Sequence, residues 1–192
     1  ISNRANNIKP SATLFLTTKA AELKAQGKDV IALNVGEPDF DTPEPIRNAA
    51  IQAIHDGQTR YTTVGGTAAL KQAVSDKFKR ENNLDYDTSQ ILVSSGAKHS
   101  IFNALMAVVN PGDEVIIPSP YWVSYPDMVK LVDGKPVIIT STIEKNYKIT
   151  PEQLAAAITP KAKVLMLNSP SNPSGKAYTK AELRALGEVL LK

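Results

Sequence analysis

From Ile91 onward the chain repeats one unit: a short apolar run with no polar alternation, a turn, then a stretch with helical spacing. "ILVSS" precedes a helix over 97–109, "EVIIP" precedes one near "SYPDMVKLV", "PVIIT" precedes "PEQLAAAI", and "KVLML" precedes a helix from Thr179. Strands apolar on both faces must be covered on both faces, and helices between successive strands supply that cover through parallel crossovers. The pattern therefore predicts an α/β fold, a mostly parallel sheet with helices on both faces. Two strand runs end alike, "VIIPSP" (115–120) and "VLMLNSP" (164–170). Open α/β sheets bind ligands outside the carboxyl ends of their strands, so these two ends are expected to line one crevice.

The first ninety residues are read element by element. "SATLFLTTKAAELKAQG" (11–27) has a Ser11 N-cap, Leu16, Ala20 and Leu23 at helical spacing, and a closing glycine. "VIALNV" (30–35) reads as an apolar strand. "PEPIRNAAIQAIHDG" reads as a helix with prolines in its first turn and Gly57 past its end, and "GTAALKQAVSDKFKRENN" as another, with Leu70, Val74 and Phe78 on one face. The last helix carries a capping box, Thr179 with Glu182. It reaches Lys192 without a C-cap glycine and the chain begins without an initiator Met, so truncation is expected.

Composition excludes several classes. A chain of 192 residues would bury roughly 70% of its unfolded surface on folding, so core size is not limiting. The 22 Lys and Arg stand against 19 acids and are scattered apart from "KFKRENN", which argues against a nucleic-acid partner. There is no cysteine for disulfides or thiolate metal sites, and no apolar run approaches the roughly 18 residues of a membrane span. "ISNRANNIKP" lacks the apolar core of a signal peptide, and a cytoplasmic setting is expected.

Three stretches carry chemistry. In "VSSGAKHS" a strand run stops, Gly96 permits a tight turn and a helix begins at Ala97, so backbone N–H groups and Lys98 form a natural phosphate cradle. Without a G-x-G-x-x-G or Walker pattern, an ordinary strand-to-helix turn is the commoner use of such a stretch. "PSPYWVSYP" places Trp122 between Tyr121 and Tyr125 just past a strand end. There an indole either fills core or stacks on a flat ligand, a contact worth about 0.5–1.5 kcal/mol beyond burial. "NSPSNPSG" (168–175) sets prolines around Asn172, which restrict the backbone that carries its amide; a loop of turn formers is the plainer reading. His55 and His99 sit at helix ends without triad or metal-ligand spacing, and Glu37 and Asp39 shape a turn. No metal site is indicated.

Taken in order, "NVGEPDFDTP", "RYTTVGG", "SSGAKHSIFNAL", "PGDEVIIPSPYWVSYPDMV" and "LNSPSNPSG" resemble the amino-terminal half of class I aminotransferases, with the wording of the bacterial aspartate aminotransferase branch. The resemblance implies a fold type I transferase dependent on pyridoxal 5′-phosphate. It implies a two-domain homodimer in which residues 1–43 form an arm and part of the small domain, and 44–192 the first part of the large, cofactor-binding domain. Asn172 matches the asparagine that bonds the phenolic oxygen of the pyridoxal ring and meets substrate, and Trp122 the aromatic that stacks on the ring and contacts substrate. Gly96, Ala97 and Lys98 match the phosphate turn, Gly36 the glycine that closes over substrate, and Tyr61 the tyrosine that reaches the phosphate of the partner subunit's cofactor. Ala97 departs from the second glycine or hydroxyl residue of many relatives, which leaves a backbone N–H but no side-chain contact.

The family's Schiff-base lysine, its pyridine-pairing aspartate and its carboxylate-binding arginine lie beyond the N-P-x-G motif and have no match here; Lys19 and Lys98 lack the Ser-x-Ser-Lys setting. No residue of this chain is therefore expected to be catalytic, and the chain alone is expected to be inactive. The whole enzyme is expected to move an amino group from L-aspartate to 2-oxoglutarate. Aromatic, alanine or prephenate substrates are the alternative within the family, and a non-catalytic module that binds a phosphate ligand at Gly96 to Lys98 is the alternative outside it. An exposed sheet edge and apolar face predict that residues 1–192 by themselves are poorly soluble or dependent on a partner.

Overall fold

The computed structural model describes residues 1–8 and 10–192, apart from the side chain of Ala12. The chain divides into two compact units, Pro10–Ser95 and a second made of Ile1–Lys9 with Gly96–Lys192. In the second unit β1 (Glu114–Pro118) lies between β2 (Lys135–Ile139) and β3 (Ala162–Leu165), and both pairings are parallel. The β1 and β3 ladder shifts register after Glu114. Helix α1 (Asn3–Asn6) belongs to the same unit, as do α5 (Ala97–Val108), α6 (Ser124–Leu131), α7 (Pro151–Ala157) and α8 (Lys180–Leu190).

The unbroken apolar run of β1 serves two cores at once. Val115 and Ile117 pack with Leu105 and Val109 at the end of α5 and with Met128, Val129 and Val132 at α6. Ile116, one residue out of phase, packs with Ile139, Ile149, Leu154 of α7 and Leu186 of α8. Successive side chains of a strand point to opposite faces, so this division shows a sheet covered by helices on both sides, as the apolar strands require. At the amino end of β1 the buried Glu114 accepts from Lys135 Nζ at 2.9 Å and from Thr159 Oγ1 at 2.6 Å. These bonds, Thr159 first, hold its carboxyl below the usual carboxylate range.

The other unit contains α2 (Ala12–Ala25), α3 (Glu44–His55) and α4 (Ala68–Lys77). Ser11 and Thr67 cap α2 and α4, and prolines open α3. α4 runs on into a π-helical turn, Phe78–Asn82, and stops at left-handed Asn83.

Two expected strands are absent among the described residues. Residues 30–35 and 91–95 belong to no ladder, and the chain bends at Asn34 and Ser95. Ile31, Leu33 and Val35 stand exposed, and the segment's hold is on α2, where Asn34 Nδ2 donates to Thr17 Oγ1 at 2.8 Å. In the later segment Val93 N–H donates to the Gly65 carbonyl at 3.0 Å, a single bond where a strand needs a row. Among the described residues no helix is long and apolar enough to cross a membrane.

Candidate functional site

Because β1 and β3 are parallel neighbours, their carboxyl ends emerge side by side; Met166 N–H, just past β3, still donates to the Ile116 carbonyl at 2.9 Å. Beyond these ends the chain forms a cleft lined by Pro118, Tyr121, Tyr125, Asn168, Ser171 and Asn172, with Tyr147 and Tyr178 also on its wall. Ser119 is fixed on both sides: its N–H donates to the Ile139 carbonyl at 2.9 Å, and its carbonyl accepts from Ser141 Oγ. The shared crevice expected from the two similar strand ends is therefore present.

Residues 168–178 form a loop closed by its own hydrogen bonds. Asn172 N–H donates to Asn168 Oδ1 at 2.8 Å, Gly175 N–H to the Ser171 carbonyl at 2.7 Å, and Ser171 N–H to the Lys176 carbonyl at 2.8 Å. Gly175 turns the chain at φ 68°, a left-handed conformation that glycine adopts without steric cost. The Ser169–Pro170 and Asn172–Pro173 peptide bonds are cis. The side-chain amide of Asn172 is exposed and has no hydrogen-bond partner among the described residues, while its backbone is held.

Gly96 is the N-cap of α5, at φ 86°, and contributes no side-chain cap to the helix. An added Cβ there would meet nothing within 4 Å, so backbone conformation and not crowding favours glycine. Ala97 and Lys98 open the helix, both exposed. Lys98 Nζ lies 4.8 Å from the centre of the Trp122 ring, a cation–π distance, and Trp122 in turn meets Tyr125 edge-on at 5.6 Å. Lys98, Trp122 and Tyr125 thus form a continuous path from the amino end of α5 to the cleft that holds Asn172. Trp122 and Tyr125 also pack against the α5 and α6 core, so the core-filling use of these aromatics is real. Burial pushes the Tyr125 and Tyr178 phenols up, which keeps both hydroxyls protonated near neutrality.

Gly36 and Tyr61 belong to the other unit. Tyr61 is fully exposed, and a Cβ at Gly36 would meet nothing within 4 Å. Two cleft residues, Tyr147 and Tyr178, are missed by the sequence reading. Tyr147 comes from the connection between β2 and α7, which only tertiary structure brings to the strand ends. Tyr178 had a weak signal, an aromatic immediately before the Thr179 cap, where an apolar residue often staples a helix start.

Residues 28–192 match the family described as aminotransferase class I and II. Over all 192 residues the chain is 59% identical to the aspartate/prephenate aminotransferase of Nitrosomonas europaea, covering 48% of that protein. It is 52% identical to the aspartate aminotransferase of Bacillus subtilis, covering 49%. Among solved structures, an aspartate aminotransferase from Rhizobium meliloti superposes with a TM-score of 0.95 at 51% identity, over the whole of this chain and 48% of that one. The Thermus thermophilus aspartate aminotransferase with maleate gives 0.95 at 44%, over the whole of this chain and 50% of that one. The chain spans about half the length of the curated relatives it matches. With a parallel sheet covered on both faces, a strand-end cleft and a family match over most of its length, the chain belongs to the class I and II aminotransferases.

Proposed function

We propose that the whole protein transfers the amino group of L-aspartate to 2-oxoglutarate with pyridoxal 5′-phosphate, in the cytoplasm and as a homodimer, and that this chain supplies one wall of the cofactor site. The observation that carries the reading is the cleft at the ends of β1 and β3, where the amide of Asn172 is exposed and unengaged, linked through Tyr125, Trp122 and Lys98 to the first turn of α5, whose N-cap is a glycine. The residues present fit the cofactor chemically. A dianionic phosphate matches the N–H groups and dipole of α5 behind Gly96, where Ala97 adds a donor and Lys98 a charge. A flat ring matches the indole of Trp122, and an ionised phenolic oxygen matches the Asn172 amide, in a bond worth about 1.5–3 kcal/mol. When bound, the cofactor supplies an electron sink for removal of a substrate Cα proton.

In this reading Gly96, Ala97 and Lys98 anchor the phosphate, Trp122 orients the ring, and Asn172 stabilises the ionised oxygen. Gly36 closes over the substrate, and Tyr61 reaches the phosphate of the partner subunit's cofactor. The proton-moving lysine lies outside this chain, so the chain alone is inactive. In the same reading residues 1–43 form the arm and part of the small domain, and 44–192 the first part of the large domain. The test is direct: the whole protein, mixed with aspartate, 2-oxoglutarate and pyridoxal phosphate, is expected to form glutamate and oxaloacetate. A protein that neither takes up the cofactor's colour nor forms glutamate overturns the reading.

The names of relatives favour a second substrate. The Nitrosomonas europaea and Cereibacter sphaeroides proteins, 59% and 56% identical, are both called aspartate/prephenate aminotransferases. A panel with prephenate as acceptor, beside aromatic amino acids and alanine as donors, separates the two readings by kcat/KM.

A further inference from the structure

The Asn172 side chain makes no hydrogen bond among the described residues, so its position is set by its backbone and by whatever holds the loop 168–178. The entering end is held by Asn168 Oδ1. The leaving end is held at Tyr178, from two directions. Tyr178 N–H donates to Ser169 Oγ at 2.9 Å, closing the loop across nine residues. Its phenol oxygen accepts the N–H of Ile149 at 2.9 Å, from the connection between β2 and α7. Ile149 is only 5% exposed, so water is poorly placed to replace the phenol as acceptor. The Tyr178 ring packs against the α7 and α8 core, with Lys148 Nζ 5.8 Å from its centre, and Lys148 pairs with Glu182 of α8 at 2.5 Å.

We propose that Tyr178 is a positioning residue for Asn172: it ties the loop to the core through Ile149 and Ser169, and so holds the Asn172 amide at the cleft wall. The inference rests on the reading of Asn172 as partner of the cofactor's phenolic oxygen. Tyr178 acts through the backbone, which is rigid enough to transmit the constraint because Pro170 and Pro173 restrict it, two backbone–backbone bonds close it and the Asn168 side chain holds the Asn172 N–H. Groups that position a functional side chain in this way set how precisely it is presented.

The experiment titrates the absorbance of bound pyridoxal phosphate against pH in the whole loaded protein, for the parent, Asn172→Ala, Tyr178→Phe and the double variant. Asn172→Ala is expected to raise the midpoint by about one to two pH units, the equivalent of one hydrogen bond to a charged oxygen. Tyr178→Phe is expected to raise it in the same direction by about half a unit. The double variant is expected to go no further than Asn172→Ala, because the two changes act through one amide. If Asn172→Ala moves the midpoint and Tyr178→Phe does not, Tyr178 is only structural and the proposal is overturned. An unmoved midpoint in Asn172→Ala instead overturns the role of Asn172, and this inference with it. Should Tyr178→Phe fail to fold, Ser169→Ala removes the acceptor of the Tyr178 N–H outside the core. That variant too is expected to raise the midpoint, and an unchanged value overturns the proposal.

Discussion

Pro10–Ser95 and the unit built on Gly96–Lys192 use the same local vocabulary and reach different degrees of packing. Both contain helices opened by Ser or Thr caps or by proline: Ser11, Pro43 to Pro45 and Thr67 in one, Thr150, Pro151 and Thr179 in the other. Yet every buried apolar side chain among the described residues except Ile91 lies in the second unit. The first leaves Ile31, Leu33, Phe40, Ile54 and Val64 mostly exposed. The difference is the paired sheet. A strand with neighbours on both edges draws helices to both faces and buries two cores, whereas an apolar segment without a ladder leaves its side chains in water. Helices are made by local sequence, and cores by what the strands find to pair with.

Core truncation is the strongest way to break that contrast. Leu154, fully buried in α7, is expected to cost about 2–5 kcal/mol when changed to Ala, the combined loss of apolar transfer and a residual cavity. Ile54→Ala in α3, 64% exposed, is expected to stay within about 0.5 kcal/mol. Denaturant unfolding of the whole protein compares the two. Equal costs would mean that the α3 face is covered in the whole protein and that the contrast belongs to residues 1–192 alone.

A smaller effect tests a tightly packed spot of Pro10–Ser95. Gly66 has φ 103°, and a Cβ there would come within 2.8 Å of Val93 Cγ2. Gly66→Ala is expected to destabilise by about 2 kcal/mol or more, from backbone strain and overlap together. A melting temperature unchanged from the parent would show that Val93 moves aside and that this unit is loosely packed even here.

The smallest effect sharpens the electrostatic side. Glu182 has its pKa lowered to about 2, chiefly by the hydrogen bond from Lys148, then by the Thr179 backbone. A carboxylate with a depressed folded-state pKa contributes stability that is present above its unfolded value, near 4.5, and is lost as pH falls toward 2. Glu182→Gln is therefore expected to flatten the acid limb of the stability profile between those values and to leave its slope near neutrality unchanged. Chemical denaturation at a series of pH values measures it, and an acid limb as steep as the parent's would remove the Lys148 pair from the account.

Much of the second unit was legible from pattern alone. Unbroken apolar runs mark strands buried on both faces, and the spacing of Thr179 and Glu182 marks a capping box that the structure forms in both directions. Residues 30–35 and 91–95 have the pattern of strands and form none, because an apolar run carries no information about whether a partner exists. The cleft was half legible. Two similar strand ends pointed to it, and Asn172 stood out between its prolines, but Tyr147 and Tyr178 arrive from connections whose sequence has no period to read.

The sequence by itself determined where helices start, which runs are apolar on both sides, and, through ordered motifs, the family to which the chain belongs. These are properties of neighbouring residues, and capping, propensity and periodicity act over one or two turns. Tertiary structure alone decided which apolar runs became strands and that β1 lies between β2 and β3. It also decided that Lys98 lies over Trp122 and that a tyrosine beyond the loop is tied to Ile149. Those outcomes depend on hydrogen-bond partners and burial supplied from twenty or more residues away, which no local stretch of chain specifies.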